Sequence, residues 1–129
     1  MPYGIRLLLG VAAESVFLQL CEVVRSSLKD SKDQNAFDKL QQVRQKHRWI
    51  VEKYTLLPGK IRREQLPESL DITLTSLYEL IRRQRNDLGH PRQNPPVVDR
   101  EQAFVFFRLF PSYVSDAEVF AEYCRSKGL

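Results

Sequence analysis

The stretch LDITLTSLYELIRRQRNDLGHP, residues 70–91, decides the fold class and raises the functional question. At about 100° of rotation per helical residue, Leu70, Leu74, Leu77 and Leu88 fall within roughly 40° of Ile81, with Tyr78 at about +60° on one flank. That stripe predicts an amphipathic helix beginning near Pro67 and Glu68 and ending near Leu88. Arg82, Arg83, Asn86 and Asp87 point away from the stripe, as solvated residues should. Arg85, at about +40°, falls inside it. A permanently charged arginine is seldom fully buried unless it is paired or faces a wet interface. His90 follows five residues later and would lie about 140° from Arg85 if the helix continued. Gly89 and Pro91 predict that it does not: glycine suits the residue after a helix end, and the residue before proline is pushed out of helical geometry.

The rest of the chain reads as helix in the same way. Residues 3–28 carry Leu7, Leu8, Leu9, Val11, Ala12, Val16, Phe17, Leu18, Leu20, Val23 and Val24. A helix so apolar all round is expected to be central or to lie at a subunit interface. Glu14 is its first acidic residue and the natural partner for a semi-buried cation. Ser31-Lys32-Asp33-Gln34 fits a capping box and opens a second predicted helix that runs to Tyr54, with Phe37, Leu40, Val43 and Ile50 at helical spacing. Leu57-Pro58-Gly59 reads as a turn, followed by a basic connector with Lys60, Arg62 and Arg63. After the loop 92–96, Asp99 and Gln102 predict the cap of a last helix, whose apolar residues recur from Ala103 to Cys124. Pro111 interrupts that run and predicts a kink or break. No segment alternates as a strand. The expected fold is all-α: one domain over residues 1–129, an antiparallel bundle of four main helices with a kinked or broken C-terminal helix.

Composition narrows the class. The chain is long enough for one domain with a core, and 43% hydrophobic with 28% charged residues matches ordinary globular usage. A net charge of +4 and a pI near 9.2 lean toward a polyanionic partner. Cys21 and Cys124 sit in apolar helical patterns, which points to buried reduced thiols rather than a disulfide or a zinc set. Glu14, Gln19 and Glu22 interrupt the apolar N-terminal segment, where charges are costly in lipid, and the segment lacks the pattern of a signal peptide. The expectation is a soluble, cytoplasmic protein that needs no membrane.

Transesterification of RNA requires a base for the ribose hydroxyl, an acid for the leaving oxygen and cationic donors for the phosphorane. Histidine serves the proton steps near neutral pH and the planar fork of arginine suits phosphate oxygens. One chain offers only His47 and His90, on different predicted elements. Two copies of Arg85 and His90 brought together by a symmetric dimer would supply both groups.

Arg85-Asn86-Asp87-Leu88-Gly89-His90 resembles the Arg-polar-x-x-x-His motif of HEPN domains, the higher eukaryotes and prokaryotes nucleotide-binding superfamily. The order of helices is also similar, with the motif near the end of the third and a further long helix behind it. The resemblance implies a small helical domain that dimerises so that two motifs line one cleft. It further implies a metal-independent endoribonuclease, free of cofactors, that leaves cyclic phosphate and 5′-hydroxyl ends in toxin–antitoxin, phage-defence or RNA-processing systems. Arg85, Asn86 and His90 would then be catalytic, with Arg82 and Arg92 gripping substrate phosphates. RNA, a second copy of the chain and an antitoxin or other regulatory protein are the implied partners. Inactive members of the family imply an alternative, a nucleotide-binding or protein-interaction module.

Arg85 can be a structural ion pair, with Glu14 as partner, in an all-α adaptor. His90 can simply complement a helix C-terminus. Asn86 and Asp87 can be solvated face residues, His47 is expected to be exposed between Lys46 and Arg48, and the phenylalanines from Phe104 to Phe110 read as core rather than a base-stacking platform.

Overall fold

The computed structural model describes residues 3–89 and 97–129. Within them the chain is helical, with no strand: α1 (Tyr3–Ser27), α2 (Ser31–Asp38), α3 (Val43–Leu56), α4 (Gly59–Gln65), α5 (Leu70–Gly89) and α6 (Val97–Lys127). The all-α class expected from periodicity is therefore observed.

Several helix boundaries differ from expectation. The second predicted helix is two, because the chain leaves helical geometry over residues 39–42, and α3 restarts at Val43. The Gln45 side chain accepts from the backbone N–H groups of Gln41 and Gln42, at 3.2 Å each, and so satisfies donors that a new helix start leaves open. At the start of α2 the cap is Asp30, which accepts from Lys32 N–H at 2.8 Å, rather than Ser31. Gln34 reaches back to the Leu28 carbonyl instead of closing a capping box. The basic connector folds into α4. At the far end α6 starts at Val97, ahead of the expected cap at Asp99, and runs without a break through Pro111. Pro111 withholds one backbone donor from the carbonyl of Phe107, but Tyr113, Ala117, Phe120, Ala121 and Cys124 are all buried beyond it. Burial of that continuous face outweighs the local loss.

The core is built where α1, α5 and α6 pack on one another, with α3 laid against α5. Contacts fix the directions. Gly10 of α1 meets Gln84 near the end of α5, and Phe17 reaches the level of Tyr78 through His47, so α1 and α5 are antiparallel. Ser69, just ahead of α5, and Thr73 donate to the Asp116 carboxylate at 2.7 and 2.6 Å, while Arg83 donates to Gln102, so α5 and α6 are antiparallel too. It follows that α1 and α6 run the same way, and the Leu129 N–H donates to the Ser27 carbonyl where their ends meet. Phe17, Val24, Ile50, Leu70, Leu74, Leu77, Ile81 and Phe120 are essentially inaccessible. Each such side chain contributes roughly 1.5–3 kcal/mol of burial free energy.

The window Leu7–Ser27 of α1 has the length and mean hydropathy, 1.8, to cross a membrane, and 39% of it is buried within the fold. The same helix leaves Leu8 and Val11 exposed, and α6 leaves Phe104 and Phe107 exposed. The phenylalanine run expected to be core is thus divided, with Phe106 and Phe110 half-buried and Phe104 and Phe107 in solvent.

Candidate functional site

The buried face of α5 comprises Leu70, Thr73, Leu74, Leu77, Leu80, Ile81 and Gln84. Two of these are polar, and together with Leu80 they move the centre of the face about 40° from Ile81, away from Arg85. Arg85 consequently sits on the rim of the stripe, 54% exposed, and is not the buried charge that apolar spacing implied. Its Nη2 donates to Glu14 Oε1 at 2.5 Å, the intramolecular partner that α1 offered. An ion pair this open to water contributes at most about 1 kcal/mol. Asn86 is exposed on the far side of the same turn.

Gln84 is the residue the sequence reading passed over. It is 8% exposed, and its Oε1 is buried without a hydrogen-bond partner. The cause lies across the interface: a Cβ on Gly10 would stand 2.3 Å from the Gln84 Cβ, so the bare backbone of α1 lets the two helices approach here. That approach brings Glu14, one turn further along α1, to Arg85. Gly10 opposite a helix face was the available signal, legible only once the two helices are paired.

Arg82, expected at the substrate, is held by Glu79 through Nε at 3.1 Å and Nη2 at 2.5 Å. Glu79 also accepts from Arg83 Nε at 3.2 Å, and Arg83 reaches Gln102 and lies 5.7 Å from the Phe106 ring centre. Hydrogen bonding from Arg82, against some desolvation and with help from Arg83, holds the Glu79 carboxyl below its ordinary range. The same bond raises Arg82. The structure brings Arg82, Arg85 and Asn86 onto the last turns of one helix. His90 and Arg92, the other two expected site residues, lie outside the described residues, as does the loop 92–96.

His47 departs from its expected exposure. Its ring stacks on Tyr78 at 4.7 Å and 19°, with Phe17 at 6.2 Å, and Nε2 is buried without a partner. Desolvation lowers its pKa, opposed by the neighbouring Leu74 carbonyl. Lys46 and Arg48 flank it in sequence but helical rotation turns them elsewhere, and for that reason a charged neighbourhood in the sequence did not mean an exposed ring. Cys21 and Cys124 are buried free thiols, as expected, pushed up to about 12 by burial. Among the described residues, no group of three His, Cys, Asp or Glu side chains converges to hold a metal ion. No protein-family model, curated sequence or solved structure matches the chain.

Proposed function

We propose that the chain is a metal-independent endoribonuclease of the HEPN type that acts as a homodimer. The observation that carries this reading is the solvent-exposed Arg85-Asn86 pair on the last turns of α5, followed by His90 at the spacing of the family motif. In the same reading α1, α2 with α3, α5 and α6 correspond to the four main helices of such a bundle, with the motif helix third.

The chemistry follows from the residue types. His90 takes the proton of a ribose 2′-hydroxyl, whose oxygen attacks the adjacent phosphorus. The bond to the 5′-oxygen then breaks, and the partner's His90 gives that oxygen a proton, leaving a cyclic phosphate and a 5′-hydroxyl. Arg85 leaves Glu14 to face the non-bridging oxygens as charge builds on them, and Asn86 orients the phosphate or His90. The exposed Leu8, Val11, Phe104 and Phe107 offer apolar surface suited to a second copy.

Cleavage of RNA in the presence of chelator, followed by end-group analysis, tests the proposal. Wild-type protein should yield cyclic phosphate and 5′-hydroxyl ends, and His90→Ala should not cleave. Equal rates for the two proteins would refute it. The Glu14–Arg85 ion pair favours a second reading, a non-enzymatic all-α adaptor whose Arg85 is neutralised within the monomer. That reading expects no cleavage by wild type and tolerance of the joint replacement of Glu14 and Arg85 by apolar residues, whereas a nucleotide-binding module would lose ligand binding or dimerisation in Arg85→Ala.

A further inference from the structure

At the opposite end of α5 from Arg85, a groove of about 520 Å³ is lined by Tyr54, Gly59, Arg62, Arg63 and Glu68. Its two arginines differ from those near the motif, because among the described residues neither has a carboxylate within ion-pair distance. The Arg62 guanidinium lies 5.7 Å from the Tyr54 ring centre, and its Nε–H is buried without an acceptor. An arginine donor removed from water and left unpaired is costly, which a bound anion would relieve. A Cβ on Gly59 would stand 3.2 Å from Arg63 Nη1, so the glycine keeps open the ground over which the second guanidinium lies. Tyr54 adds a hydroxyl that stays protonated: desolvation raises its pKa, Asp71 adds to the rise and Arg62 opposes it. Glu68 on the groove wall and Asp71 near Tyr54 are the opposing charges.

We infer that this groove binds a phosphate group through Arg62 and Arg63, and that the phosphate belongs to the backbone of a single-stranded RNA whose scissile bond lies at Arg85. The RNA assignment rests on the endoribonuclease reading; the phosphate site does not. From Leu70 to Arg85 the helix advances about 22 Å, so the groove engages a phosphate several nucleotides away from the cleaved one.

The first measurement uses the wild-type protein. In ¹⁵N-resolved NMR, the Arg62 Nε–H resonance should shift and saturate with inorganic phosphate, and stay in place with chloride at matched ionic strength. A response to ionic strength alone would overturn the phosphate site. The second measures anisotropy of a 2′-O-methyl oligoribonucleotide of about eight residues, which lacks the attacking hydroxyl. Arg62→Lys with Arg63→Gln, with the fold checked by circular dichroism, should weaken binding about tenfold or more and reduce the log–log salt slope by roughly 0.7. Unchanged oligomer affinity would remove the RNA assignment. So would saturation of the Arg62 shift by a nucleoside monophosphate at concentrations where the oligomer has no effect. Cleavage by His90→Ala tests the reaction separately: a phosphate-specific shift in a protein that never cleaves RNA keeps the groove and discards the endoribonuclease, and cleavage without the shift does the reverse.

Discussion

Gly10→Ala tests the packing that places Glu14 beside Arg85. An added Cβ would stand 2.3 Å from Gln84 Cβ, 2.9 Å from Cγ and 3.2 Å from Cδ. Carbon atoms settle about 3.5–4.0 Å apart, so α1 and α5 must separate by roughly 1 Å or more. The nearest atom is a Cβ fixed to the α5 backbone, which no rotamer change can move. Replacing glycine by alanine within a helix gains about 1 kcal/mol. Overpacking at a tight contact costs about 1–3 kcal/mol, occasionally more, and a contact this short belongs at or beyond the upper end. The expected outcome is a net loss near 2 kcal/mol in urea unfolding, or about 8 °C in melting temperature for a chain of this size. Gly4→Ala, where the new methyl meets nothing within 4 Å, is the control and should be neutral or stabilising. Gln84→Gly in the Gly10→Ala background removes the opposing Cβ and should recover part of the loss, giving a favourable coupling in the double-mutant cycle. Stabilisation by Gly10→Ala, equal to that of the control, would refute the close approach.

Glu14→Gln should change stability by less than about 1 kcal/mol, since the pair is open to water, but should tighten binding of 2′-O-methyl RNA by freeing Arg85. A large stability loss with unchanged RNA binding would mark the pair as structural. His47 binds its proton less readily in the folded chain than in the unfolded one, so its stabilising contribution is complete above about pH 6.5 and declines as pH falls toward the lowered folded value. Urea midpoints should therefore show the wild-type advantage over His47→Leu shrinking between pH 7 and 5; a constant or growing advantage would count against burial of the ring. Pro111→Ala should restore a donor to the Phe107 carbonyl and raise stability by about 1–2 kcal/mol, with thermal unfolding as the check. A loss would show that α6 depends on the proline.

Much of the fold was legible in residues alone. The apolar period of Leu70, Leu74, Leu77 and Ile81 gave α5, and the predominance of apolar residues over 3–28 gave α1, because a helix face must be apolar wherever it meets a core. The division of α2 from α3 was not legible, since Phe37, Leu40, Val43 and Ile50 keep helical spacing across the break. Nor was it legible which of a kink or a break Pro111 would bring: α6 runs on without a break, with Tyr113, Ala117 and Phe120 buried beyond the proline. At the candidate site the sequence supplied the residue types and spacing of Arg85, Asn86 and His90, and it named Glu14 as the available partner. It did not supply the orientation of Arg85. Counting apolar residues alone centred the buried face too near it, and only the packed helices show Thr73 satisfied by Asp116 and Gln84 seated against Gly10. Helical period is local and survives in the one-dimensional string. Which polar side chain a core accepts depends on what the neighbouring helix leaves empty, and that is decided only when the helices meet.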